Sequence, residues 1–169
     1  MRSLKHFLIV ATLTSTILSG CSTEVPKYSN NLISIEVDAN KYDVLDNMDS
    51  TDKKLKIESN NQETSALIRH LSSMGVSSDE LLDKIKDKYS ELGKVTNIVK
   101  DNKDDDRFNI STMTYTITAK DGHLVYVYVK LITNFSDGGV LGIFTVNDES
   151  SKQDKNAFKK MFETLEFEE

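Results

Sequence analysis

The stretch that most constrains this 169-residue chain is the pair of β-rich runs flanking Asp121-Gly122. Ile110 to Ala119 and Leu124 to Ile132 are dominated by Thr, Val, Ile and Tyr, residues suited to a pleated, partly covered surface. Asp-Gly between two such runs is favoured in two-residue type I′ hairpin turns, and that turn sets Lys120 opposite His123. One face of the hairpin then carries Met113, Tyr115, Ile117 and Ala119 beside Leu124, Tyr126 and Tyr128. The other carries Thr112, Thr114, Thr116 and Thr118 beside Val125, Val127, Val129 and Leu131. Neither face is charged until Lys130, whereas a sheet with one wet face alternates sharply with polar residues. Cover on both sides is therefore expected. Asp137-Gly138-Gly139 makes a second turn into Val140 to Val146, which gives a three-strand meander.

The remaining elements follow from local pattern. Leu32 to Val37 alternates, with Ile33, Ile35 and Val37 on one side of a strand. A short strand or turn is expected around Tyr42 to Leu45, a polar turn over Asp46 to Asp52, and a second strand over Lys54 to Glu58. Leu67, Ile68, Leu71 and Met74 fit one helical stripe stopped by Gly75. Ser77 and Glu80 form a capping box, and Val76 with Leu81 fits a hydrophobic staple. They open a helix over Ser78 to Leu92 that buries Leu81, Leu82, Ile85, Tyr89 and Leu92, leaves a charged face in solvent, and ends at Gly93. Val95 to Val99 reads as a strand entering a charged loop, Asp101 to Asp106. A closing helix, Lys152 to Glu163, is capped by Ser151 and buries Ala157, Phe158, Met161, Phe162 and Leu165. These elements predict an α+β fold, an antiparallel sheet of about five to seven strands with helices packed on it.

The amino terminus reads as a processing signal. Arg2 and Lys5 precede an apolar run from Phe7 to Leu18, too short to span a bilayer, which takes about 20 residues. Leu18-Ser19-Gly20-Cys21 follows and resembles the lipobox of bacterial lipoproteins. The resemblance implies a signal peptide over 1–20, a diacylglyceryl thioether on Cys21, and a mature chain that begins at that cysteine. Acyl chains acting together anchor stably where one does so marginally, so the expected location is the extracytoplasmic face of a cell membrane. Residues 21–31, with the only proline, Pro26, read as the lipidated cysteine and a flexible tether, and 32–169 as a single domain of ordinary size.

With Cys21 the only cysteine, neither a disulfide nor a cysteine nucleophile is expected. Removing Arg2 and Lys5 from 21 basic residues leaves 19 against 27 acidic, a net charge of −8. That balance disfavours nucleic acid, which calls for a concentrated basic face. The excess of lysine over arginine and the frequent asparagine suggest a Gram-positive source.

The order of strands, helical middle, meander and closing amphipathic helix, together with Phe158 to Phe167 (FKKMFETLEF), resembles the PsbP/Mog1-type α/β/α sandwich across about Ile33 to Phe167. The resemblance implies a binding or assembly factor, in a family whose bacterial members are often exported lipoproteins. A cystatin-like α+β fold is the alternative.

Catalytic patterns are sparse. Asp101 to Asp106 fails the EF-hand spacing from either Asp101 or Asn102, so no metal is expected there. Ser50-Thr51-Asp52-Lys53 fits Ser-x-x-Lys without the Lys-Thr-Gly that accompanies it. His70, on the polar side of the first predicted helix, and His123, beside the hairpin turn, read as surface residues. Gly138-Gly139 reads as turn geometry. Asn109-Ile110-Ser111 and Asn134-Phe135-Ser136 match glycosylation acceptors that a bacterial host would not use. Tyr115, Tyr126 and Tyr128 form either core or an aromatic ligand surface. No cofactor and no catalytic residue is assigned. The leading expectation is a non-enzymatic binding or accessory module with a protein or small-ligand partner. Its rivals are a small cell-envelope hydrolase using dispersed carboxylates, among which no pair is singled out, and a structural or accessory subunit of an envelope transporter or an immunity lipoprotein.

Overall fold

A computed structural model describes residues 27–29, 32–38, 40–48, 53–61, 63–105, 107–134 and 138–168. Along the chain these form β1 (Lys27–Ser29), β2 (Ile33–Glu36), β3 (Tyr42–Asn47), β4 (Lys54–Ser59), β5 (Thr64–Leu71), α1 (Ser78–Ser90), β6 (Gly93–Asp104), β7 (Phe108–Ala119), β8 (Leu124–Asn134), β9 (Gly139–Asn147), α2 (Lys152–Thr164) and β10 (Glu166–Phe167). Seven strands make one antiparallel sheet in the order β3-β4-β5-β9-β8-β7-β6, and three short ones a second sheet, β1-β2-β10. The chain thus has the expected α+β architecture.

Both faces of the large sheet are covered. Against one lies α1, whose Leu82 and Ile85 close a core with Met113, Tyr115, Ile117, Val127, Val129 and Leu131. Against the other lie α2 and the small sheet. There Phe158, Met161 and Leu165 meet Ile33 and Ile35 and the inner residues of β4, β5 and β9, such as Ile57, Ile68 and Phe144. Phe158 packs edge-on to Tyr42 at 5.3 Å between ring centroids. Both helices start where their caps dictate: Ser77 Oγ accepts from the Glu80 amide at 3.2 Å, and Ser151 Oγ from the Asp154 amide at 3.1 Å.

The hairpin register differs from the expectation by one residue. The Ala119 amide donates to the His123 oxygen at 2.9 Å and Thr118 pairs with Leu124, so three residues, Lys120 to Gly122, make the loop. Gly122 takes the left-handed conformation (φ +94°) that three-residue loops place at their last position. A slip of one exchanges the faces of one strand relative to the other. Met113, Tyr115 and Ile117 therefore share a face with Val125, Val127 and Val129, while Thr114 and Thr116 lie beside Tyr128 and Tyr126.

Other corrections have equally local causes. Thr64–Leu71 is a strand, not a helix: it sits between β4 and β9, with Ala66 and Ile68 fully buried on one face and Leu67 and Leu71 half-buried on the other. Cover on both faces removes the alternation that would have marked it. The charged run Asp101–Asp104 continues β6 instead of looping, because β7 runs opposite it as far as Asn109. Leu92, expected in the core, is 54 % exposed, since α1 ends at Ser90 and Gly93 already belongs to β6. Lys27–Ser29, placed in the tether by sequence, adds to the small sheet with Tyr28 opposite Ile35. Residues 21–26, with Cys21, lie outside the described residues, as do 1–20.

Candidate functional site

A concavity of about 790 Å³ lies where the end of α2 and β10 pass over the β6–β7 corner of the large sheet. Apolar side chains make up much of its floor, beside Thr112 and Lys130. Phe108, Ile110 and Ile132 come from β7 and β8, because alternate residues of those strands face α2, and Phe162, Leu165 and Phe167 come from the closing segment. Phe167 stacks obliquely on Phe108 at 5.6 Å and approaches the His70 ring at 6.3 Å. Phe162 touches Tyr128 at 5.7 Å and Phe144 at 5.8 Å.

The rim is charged with both signs. Asp101, Lys103, Asp105 and Arg107 line the β6 side, and Glu163, Glu166 and Glu168 the α2 side. Arg107 sets its guanidinium 5.3 Å above the Phe108 ring, a cation–π placement. Glu166 accepts from Lys27 at 3.2 Å and from Ser34 Oγ at 3.1 Å. The Lys27 ammonium leads in holding the Glu166 carboxyl below the usual glutamate value, with Ser34 and Lys130 assisting against some burial.

Lys130 crosses the base of the groove. Its ammonium donates to the main-chain oxygens of Phe162 at 3.3 Å, Glu163 at 3.1 Å and Leu165 at 2.8 Å. These belong to the carbonyls that a helix end leaves without internal partners, and a cation there also meets the negative end of the helix dipole. Burial pulls the Lys130 pKa below the ordinary lysine value, opposed by Glu166 and Glu163. With all three donors spent, Lys130 builds the groove rather than offering a free charge to a ligand. It stands alone as a charge in the apolar run Val125 to Ile132, and that isolation was the signal for a buried partner.

The residues singled out by sequence are dispersed. Tyr115 faces α1, while Tyr126 and Tyr128 face α2, so the three form no common ligand surface. His70 lies on β5 instead of a helix, half-buried, with Nδ1 lacking a partner among the described residues. Burial, with Lys53 nearby, pushes its pKa down. His123 sits at the hairpin mouth, 3.7 Å from Asp148 and 3.5 Å from Glu149 in the turn after β9. No group of three metal-ligating side chains occurs among the described residues. Ser50 of the Ser-x-x-Lys match and Phe135-Ser136 of the second glycosylation match lie outside them. No described helix is long and apolar enough to cross a membrane.

No family model matches the sequence, and no curated protein shows significant similarity to it. Among solved structures the chain is similar to the solution structure of cyanobacterial PsbP (CyanoP) from Synechocystis sp. PCC 6803, with a TM-score of 0.60 and 9 % identity, over 84 % of this chain and 91 % of that one. At that identity the likeness is one of fold, and the fold of this chain is PsbP-like.

Proposed function

We propose that the chain is a non-enzymatic binding module, held on the extracytoplasmic face of a bacterial membrane by lipid on Cys21, whose partner enters the groove between the β6–β7 corner and the end of α2. The observation that carries the reading is the build of that groove: a floor of packed aromatic and aliphatic side chains under a rim bearing Lys103 and Arg107 opposite Glu163 and Glu168. Such a floor takes an apolar side chain of a protein partner, and a rim of both signs orients the charges flanking it. The lipobox reading and the PsbP-like fold are consistent with an accessory role at a membrane.

The rival with a specific observation behind it is a carboxylate hydrolase, because acidic side chains face one another across the groove. Glu166 speaks against it there: a proton donor needs a carboxyl raised above its ordinary value, and Lys27 holds this one down.

Two measurements test the proposal. Replacing Cys21 by Ala should move the protein from the membrane to the soluble fraction; retention on the membrane overturns the anchor. A photo-crosslinking residue at Arg107 in cells should trap a discrete heterologous product that Phe167→Ala weakens, while the same residue at Lys88 on α1 should not. Equal products from both positions would remove the groove from the proposal.

A further inference from the structure

The outer edge of β6 carries a self-complementary pattern. β6 ends the sheet order, with β7 on one side and no strand on the other among the described residues. The Asp105 amide donates to the Phe108 oxygen at 2.8 Å, which fixes which main-chain groups turn inward. Alternate residues of an antiparallel strand bond to the same neighbour, so Asp101, Lys103 and Asp105 turn their amides and carbonyls toward β7. Lys100, Asn102 and Asp104 turn theirs outward. The side chains alternate as well: Lys100 reaches Asp83 of α1 at 3.0 Å, and Asp101 and Lys103 line the groove on the opposite face. Asp101, Lys103 and Asp104 are exposed and enter no ion pair among the described residues.

We infer that β6 pairs antiparallel with β6 of a second copy of this chain about a two-fold axis at Asn102, joining two sheets into one. In that register Lys100 faces the partner's Asp104, Asp101 faces the partner's Lys103, and each pair recurs by symmetry. The outward main-chain groups of Lys100, Asn102 and Asp104 then meet their counterparts as hydrogen-bonded pairs. Moving the axis by one residue sets Asp101 against Asp101 or Lys103 against Lys103, which is unfavourable at directly opposed positions. Of the axes through Lys100 to Asp104, the one at Asn102 alone sets each charge of that five-residue segment opposite one of the other sign. Charges on an edge strand ordinarily keep it from pairing; here the alternation of sign repels other registers and favours this one. The bulge between Thr96 and Val99, with Asn97 at φ +55°, bends the strand and bounds the paired segment on its amino-terminal side. Asp101 and Lys103 also stand on the β6 rim of the groove, but the pairing depends on neither the membrane anchor nor the identity of the groove's occupant.

The test uses the full chain in detergent solution. Sedimentation equilibrium should show a monomer–dimer equilibrium. Asp101→Lys should weaken it about tenfold or more, since two attractive pairs become repulsive, and Asp101→Lys with Lys103→Asp should restore it, because the exchanged pair is again self-complementary. In a chain carrying Cys21→Ser, Asn102→Cys should form a disulfide-linked dimer under mild oxidation, as facing α-carbons in such a pair lie about 5.5 Å apart, within disulfide reach. Lys120→Cys, at the hairpin tip, should not. Folding of each variant is checked by circular dichroism. A chain that stays monomeric at every concentration leaves the edge to a different protein and overturns the inference. So does a dimer indifferent to Asp101→Lys.

Discussion

The ammonium of Lys130 on β8 lies 2.8 Å from the main-chain oxygen of Leu165, the residue that ends α2. Through this contact and its two companions at Phe162 and Glu163, one side chain from the sheet closes the last helix and sets the course of β10 over the groove. Lys130→Met keeps the length of the side chain and removes the charge and all three donors. Stability should fall by about 1–3 kcal/mol, read by urea unfolding, with faster amide exchange in Glu166 and Phe167.

Glu166 links the strand that follows α2 to β1 and β2 through Lys27 and Ser34. Its folded pKa is depressed, so its contribution is present above the ordinary value of 4.5 and is lost as pH falls through the folded value. Glu166→Gln should lower stability slightly at neutral pH, since the exposed Lys27 pair contributes weakly. It should match the wild type at low pH, where Glu166 is protonated, and should flatten the acid limb below about pH 4.5 by that same small amount. A fluorescence or circular-dichroism titration in fixed urea checks this.

His70 has the opposite chemistry and the same direction in pH. Burial disfavours its protonated form, so below the ordinary value of 6.5 the unfolded chain takes up more protons than the folded one. Stability should therefore drop as pH falls from 6.5 toward the folded pKa, and His70→Gln should remove that part of the slope. The proton NMR titration of the His70 ring should have its midpoint below that of an exposed histidine.

Gly93 and Gly142 differ in what surrounds them. A Cβ at Gly142 would meet the Leu165 and Phe144 side chains, which can move, whereas at Gly93 it would run into the Thr118 main chain within the sheet. Gly142→Ala should cost about 1–3 kcal/mol, and Gly93→Ala more, measured as the shift in urea midpoint at constant slope.

Much of the architecture was legible because its signals are local. Ser77 and Ser151 cap their helices through bonds spanning three residues, and the stripe Phe158, Met161, Leu165 could bury itself only as a helix face. The groove was less legible. It joins residues some sixty positions apart, Asp101 to Arg107 on one side and Phe162 to Glu168 on the other, and no short motif encodes that meeting. Lys130, alone in an apolar run, was its visible trace.

The sequence by itself determined the hairpin, the meander, both helix starts and the α+β class, since each rests on turn chemistry, caps or periodicity within a few residues. Only the tertiary structure decided that Thr64–Leu71 is a strand, because a short apolar run fits either period until β4 and β9 supply its hydrogen-bond partners. It also decided the hairpin's register, where one added loop residue exchanged the faces, parted Tyr115 from Tyr126 and Tyr128, and turned Lys130 toward the end of α2. Pairing and burial are settled between distant segments, and there the fold, not the local pattern, selects among conformations that the chain allows about equally.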